Sequence, residues 1–171
     1  MMVESAIMTL EAEMSVLAQR LADKTREENV DNPEYQPELR PPATAAQIRA
    51  LEDRLGFALP PSYKAFLEAH DGMTHFQGTH LLFGSEDHQS TWAKEQERFF
   101  RENDATGPFD AGAVPVVMAE AETGIFNFWA FDPHSRGPDG ELEVVDWDNG
   151  EELDRYPSFK AFIEAELADE A

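Results

Sequence analysis

The chain has 171 residues, 42% of them hydrophobic and 11% aromatic, no cysteine, and 35 acidic against 13 basic side chains for a net charge of −22. That length buries roughly 70% of the unfolded surface, so one cored domain with an appendage is expected, and the aromatic content excludes a disordered acidic tail. The absence of cysteine removes disulfides, thiolate zinc sites and cysteine catalysis, while the charge disfavours nucleic acid and anionic membranes as partners.

The opening residues Met1 to Ala6 show neither a basic stretch nor an apolar one, and no apolar run approaches the ~18 residues of a membrane span. A soluble, cytoplasmic protein is the expectation. Residues 2–28 read as one helix, because Val3, Ile7, Leu10, Met14, Leu17 and Leu21 alternate spacings of four and three. Such a seam serves either the protein's own core or a coiled-coil partner. Four prolines within 29–43 then predict a linker without regular structure.

Thr44-Ala45-Ala46-Gln47 is a capping box, and Ile48, Leu51 and Leu55 line the helix that follows, with Gly56 ending it. Pro60-Pro61 opens a second helix carrying Tyr63, Phe66 and Leu67, stopped by Asp71-Gly72. His80 to Phe83 reads as a strand, and Ser90 caps a helix over 90–102. Val114–Ala119 and Ile125–Phe131 read as strands around the turn Glu122-Thr123-Gly124, and Glu141–Trp147 as another. Asp148-Asn149-Gly150 turns, and Ser158 caps a last helix with Phe159, Phe162, Ile163 and Leu167. This order predicts an α+β fold, a mainly antiparallel sheet flanked by helices, with an extra N-terminal helix.

Motifs for chemistry are absent. His70, His75 and His80 recur at five, which is no helical zinc spacing, and Asp146 to Glu152 fails the calcium-loop pattern because its glycine comes one place early. No nucleophile elbow or phosphate loop occurs. We therefore expect no enzyme, no metal and no cofactor. The acids are uneven: from Glu102 to Asp154 there are 14 acids and one base, Arg136, a charge of −13. This is either a solubilising surface or a face for a basic partner.

The run Ala46 to Leu67, with Leu55-Gly56, Leu59-Pro60-Pro61-Ser62-Tyr63 and Phe66-Leu67, resembles the opening of the SMI1/KNR4 family of the SUKH superfamily. Trp129-Ala130-Phe131-Asp132, Glu143 to Asp148 and Ser158 to Ile163 are similar to its later strands and closing helix. His70-Asp71-Gly72 departs from its usual Asn-Gly stop but keeps the glycine. The resemblance covers about 44–168, leaving 1–30 as an added helix and 31–43 as the linker. It implies an α+β fold without catalytic residues. In its bacterial branch it implies an immunity protein that binds and neutralises a cognate toxin. The alternative is a non-catalytic regulatory scaffold that binds signalling partners. The charge points to a basic partner, and the resemblance implies that it is a toxin domain, expected to be of nuclease type; the expected state is a monomer or weak homodimer. The partner-binding residues expected from the turns are Asp132, Asp139, Glu141, Asp146, Asp148, Glu151 and Glu152.

Overall fold

The computed structural model of the chain describes residues 9–102, 106–119, 127–148 and 150–168. Among these, the helices are α1 (Leu10–Glu28), α2 (Ala45–Leu55), α3 (Pro61–Ala69), α4 (Thr91–Glu102), α5 (Gly107–Asp110) and α6 (Phe159–Ala168). The strands are β1 (Glu38–Leu39), β2 (Met73–Phe76), β3 (His80–Leu82), β4 (Val114–Ala119), β5 (Asn127–Phe131), β6 (Val144–Asp148) and β7 (Glu151–Tyr156). The seven strands lie in sequence order in one antiparallel sheet. The fold is α+β, as expected. No described helix is long and apolar enough to cross a membrane.

Alternation along the strands divides the core between two faces. On β5, Trp129 and Phe131 join the larger cluster beneath α1, α2, α3 and α6, whereas Phe128 and Ala130 join a smaller one under α4 and α5. Pro115 stands at the second position of β4, beside a break in its register with β5, where a missing donor does least harm.

The helix ends follow the local sequence. Thr44 and Gln47 form the reciprocal capping box, and Gly56 adopts the left-handed conformation at φ 82°. The Ser90 and Ser158 hydroxyls accept the Ala93 and Ala161 amides, each at 3.0 Å. A side chain on Gly84 would lie 2.1 Å from the Asp71 carbonyl, so this close crossing of chains requires glycine. Tyr63, fully buried, donates its hydroxyl to the Phe83 carbonyl at 2.7 Å and therefore accepts from His88 Nε2 at 2.9 Å. Burial, then the nearby Arg54 charge, pushes His88 down to about 3, which keeps it neutral in that role.

One expectation changes. The 31–43 segment contains a 3₁₀ turn at Pro33–Tyr35 and the short strand β1, because Pro37 and Pro41 leave Glu38–Leu39 free to pair with Met73–Thr74. The N-terminal helix is described from Leu10; Val3 and Ile7 lie outside the described residues. Of its seam, Met14, Leu17 and Leu21 are buried in the larger cluster, against α3 and α6. Lys160 pairs with Glu13 at 2.9 Å, and the Lys24 ammonium donates to the Glu166 carbonyl. The described part of the apolar seam is spent on this chain's own core.

Candidate protein-interaction site

β7 carries few of the signals that mark a strand. Its sequence, Glu-Glu-Leu-Asp-Arg-Tyr, has no apolar alternation, and every residue but Tyr156 is exposed. It forms a hairpin with β6, in which Val145 stands opposite Arg155, Asp146 opposite Asp154, Trp147 opposite Glu152 and Asp148 opposite Glu151. Leu153 is the extra residue of a bulge, and it is 61% exposed. Asn149 of the connecting turn lies outside the described residues, as do Glu120, the 122–124 turn, Ile125 and Phe126.

The two faces of this hairpin differ. On the α5 side, Arg155 donates to both oxygens of Glu152 (2.6 and 3.0 Å), to Glu143 (2.5 Å) and to Asp132 (3.0 Å). One guanidinium thus ties three carboxylates from three places in the chain. Those bonds, Glu152's first, raise the Arg155 pKa. For Asp132, burial opposes ionisation, but the His134 amide and Arg155 outweigh it and lower the pKa.

On the helix side, register brings Asp146, Asp148, Glu151 and Asp154 together as two pairs of like charge directly opposite each other. No lysine or arginine pairs with any of the four among the described residues. Asp146 accepts from the Asn127 amide at 2.6 Å, and Asp154 accepts its neighbour Arg155's backbone N–H at 2.9 Å. Asp148 and Glu151 are exposed. Burial raises the Asp146 pKa, Asn127 offsets part of that, and the Asp154 and Asp148 charges add to it. Trp129, directly opposite Asp146 in β5, is 6% exposed, and its indole N–H has no hydrogen-bond partner among the described residues.

The remaining two expected residues lie in the loop between β5 and β6. Glu141 receives both the Ser62 N–H (3.0 Å) and the Ser62 hydroxyl (2.9 Å), clamping the first turn of α3. Burial raises its pKa against those bonds. Asp139 is exposed and accepts the Glu141 amide within its own loop. Arg136, the lone base of this acidic stretch, binds the Gly140 and Ala58 carbonyls and pins the loop to the α2–α3 corner.

The seven expected residues therefore fall in three places. Asp132 and Glu152 belong to the Arg155 cluster, Asp146, Asp148 and Glu151 to the helix-side strip, and Asp139 and Glu141 to the loop. Sequence reasoning missed Glu143, Asp154 and Arg155. The Asn-Gly pair at 149–150 signals a turn that sets Asp148 opposite Glu151 and Trp147 opposite Glu152, but the Leu153 bulge, which no sequence signal marks, decides the faces that Asp154 and Arg155 occupy. Among the described residues no three His, Asp or Glu side chains are grouped as metal ligands.

Comparison with known proteins is specific at the level of family. No curated protein sequence matches the chain. The SMI1 / KNR4 family (SUKH-1) profile matches residues 42–165, from the approach to α2 into α6, and leaves α1 outside. With most of the chain matched, this protein belongs to the SMI1/KNR4 family, SUKH-1.

Proposed function

We propose that the protein is an immunity protein, one that binds a cognate bacterial toxin of basic character and neutralises it by stoichiometric contact rather than by catalysis. Its family includes immunity proteins. The observation that carries the reading is the helix-side strip of Asp146, Asp148, Glu151 and Asp154, which stays unneutralised while Arg155 ties the carboxylates of the opposite face. Like charges held opposite one another work against folding. A basic partner recovers that cost on contact, and the −22 field draws it in.

Nucleases expose such a surface, because their clefts must receive phosphate. The strip would sit at or beside that cleft. The test is co-expression with a toxin encoded next to this gene. Cells should survive only when this protein is present, and the two should purify together in equal amounts. Death of the protected cells, with no complex formed, overturns the reading.

A further inference from the structure

The direction of the peptide groups along the hairpin shows what β7 leaves open. The Asp132 N–H donates to the Glu143 carbonyl, so residues 143, 145 and 147 turn their peptide groups toward β5. The Asn127 amide bound to the Trp147 carbonyl agrees with this. Residues 144, 146 and 148 then face β7 and bond Tyr156, Asp154 and Glu151. Glu152 and Arg155 are left with their peptide groups turned outward, and among the described residues no strand pairs with β7 on that side. Arg155's N–H is covered by the Asp154 carboxylate, and the Leu153 bulge breaks the regular spacing. Both features discourage casual pairing, as edge strands commonly require.

Resting on the toxin-binding reading above, we propose that β7 receives an extended cationic segment of the partner as an eighth, added strand, whose basic side chains on alternate residues meet Glu151 and Asp154. Charge complementarity selects this occupant. Side chains on one face of an added strand recur at every second residue; Glu151 and Asp154 are three residues apart in β7, but the Leu153 bulge sets them opposite Asp148 and Asp146, which are alternate residues of β6. A second copy of this chain would bring the same acids against themselves, with −22 on each partner. Main-chain bonds supply attachment, at Glu152 directly and at Arg155 once the Asp154 carboxylate leaves its N–H for a basic side chain of the added strand, and the acids supply selection.

The probe is a synthetic peptide of alternating Lys and Val, long enough to span β7, added to the full-length protein. Amide exchange at Glu152 and Arg155 should slow by about tenfold, with residues of β2 and β3 unaffected. A peptide of the same composition with lysines and valines in separate blocks should give no protection. The alternating peptide N-methylated on the edge meant to face β7 should give none either. Glu152→Pro, which removes an outward N–H, should abolish protection that Glu152→Ala retains. Equal binding of block or N-methylated peptides, or no protection by the alternating one, overturns the proposal. Protection of those amides by raising protein concentration alone overturns it in favour of self-pairing. These results concern the edge only. Cells still rescued from the toxin when the edge is blocked would leave the immunity reading standing and remove this one.

Discussion

The two faces of the β6–β7 hairpin hold similar numbers of carboxylates and treat them in opposite ways. Beneath α5, three acids surround Arg155, each within 3.0 Å of it. On the helix side, four acids stand in like-charged pairs with no cation among them. One face is neutralised by its own sequence; the other, among the described residues, is not. Net charge alone does not reveal this, because both faces add to the same −22. What separates them is which carboxylates share a face with the lone guanidinium of β7.

The comparison has an outer limit in α1, whose buried apolar face is committed to the fold. Deleting residues 1–30 removes Met14, Leu17 and Leu21 from the core. At about 2–5 kcal/mol for each large apolar side chain, the sum reaches the whole stability of an ordinary domain. The truncated protein should show no cooperative melt by circular dichroism and should bind a hydrophobic dye. A truncated protein that melts like the full chain would mean that α1 is an appendage after all.

The next largest effect contrasts the helix-side strip with acids elsewhere. Changing Asp148, Glu151 and Asp154 together to lysine should weaken toxin binding about a hundredfold, since close charge pairs across an interface each contribute at least about 1 kcal/mol. The same reversal at the exposed Glu11, Glu27 and Glu28 of α1 should change affinity little, although it alters net charge equally. The wild-type association rate should fall between low and physiological salt, where screening shortens to ~8 Å. Surface plasmon resonance at two ionic strengths reads all of this. Equal losses from both triple variants would reduce the strip to solubilising surface.

Smaller effects test the finished face. Arg155→Met leaves Asp132, Glu143 and Glu152 facing one another without a cation. Because Arg155 is about a third exposed, solvent screens part of the loss, and about 1–2 kcal/mol of stability is expected to go. Urea denaturation measures it, and recovery in high salt would identify repulsion as the cause. An unchanged midpoint would mean that the three acids are already screened by water.

The smallest change runs in the opposite direction. Burial raises Asp146's pKa, so its favourable contribution is complete below the ordinary carboxylate range and is lost as pH rises through the raised value. At pH 7 the penalty is fully present. Asp146→Asn keeps an oxygen to accept the Asn127 amide and should stabilise the protein by about 0.5 kcal/mol at pH 7, with the gain vanishing in acid. Thermal melts at pH 7 and pH 4 distinguish this from a gain that is independent of pH. If the strip serves binding, the same substitution should weaken the toxin complex while it stabilises the free protein.

Much of the architecture was legible in the chain itself. The capping box at Thr44, the left-handed Gly56, the proline start of α3, the serine caps of α4 and α6, and the apolar strands β4 to β6 all rest on neighbours within a few residues. Local chemistry of this kind is written in order along the sequence. β7 was not legible, because an edge strand with both sides wet has no apolar period to read. β1 was hidden for a related reason: two residues between prolines become a strand only when β2 offers its backbone. Nor could composition divide the acids. Glu141 caps α3 from 79 residues away, and Arg155 gathers Asp132 from 23. A carboxylate's role depends on which cation or amide meets it after folding, and that meeting is set by strand register and loop closure. The sequence by itself determined most of the elements and the excess of acid; only the tertiary structure decided which acids meet a cation or an amide and which stand without a counter-charge, because register and loop closure set those meetings.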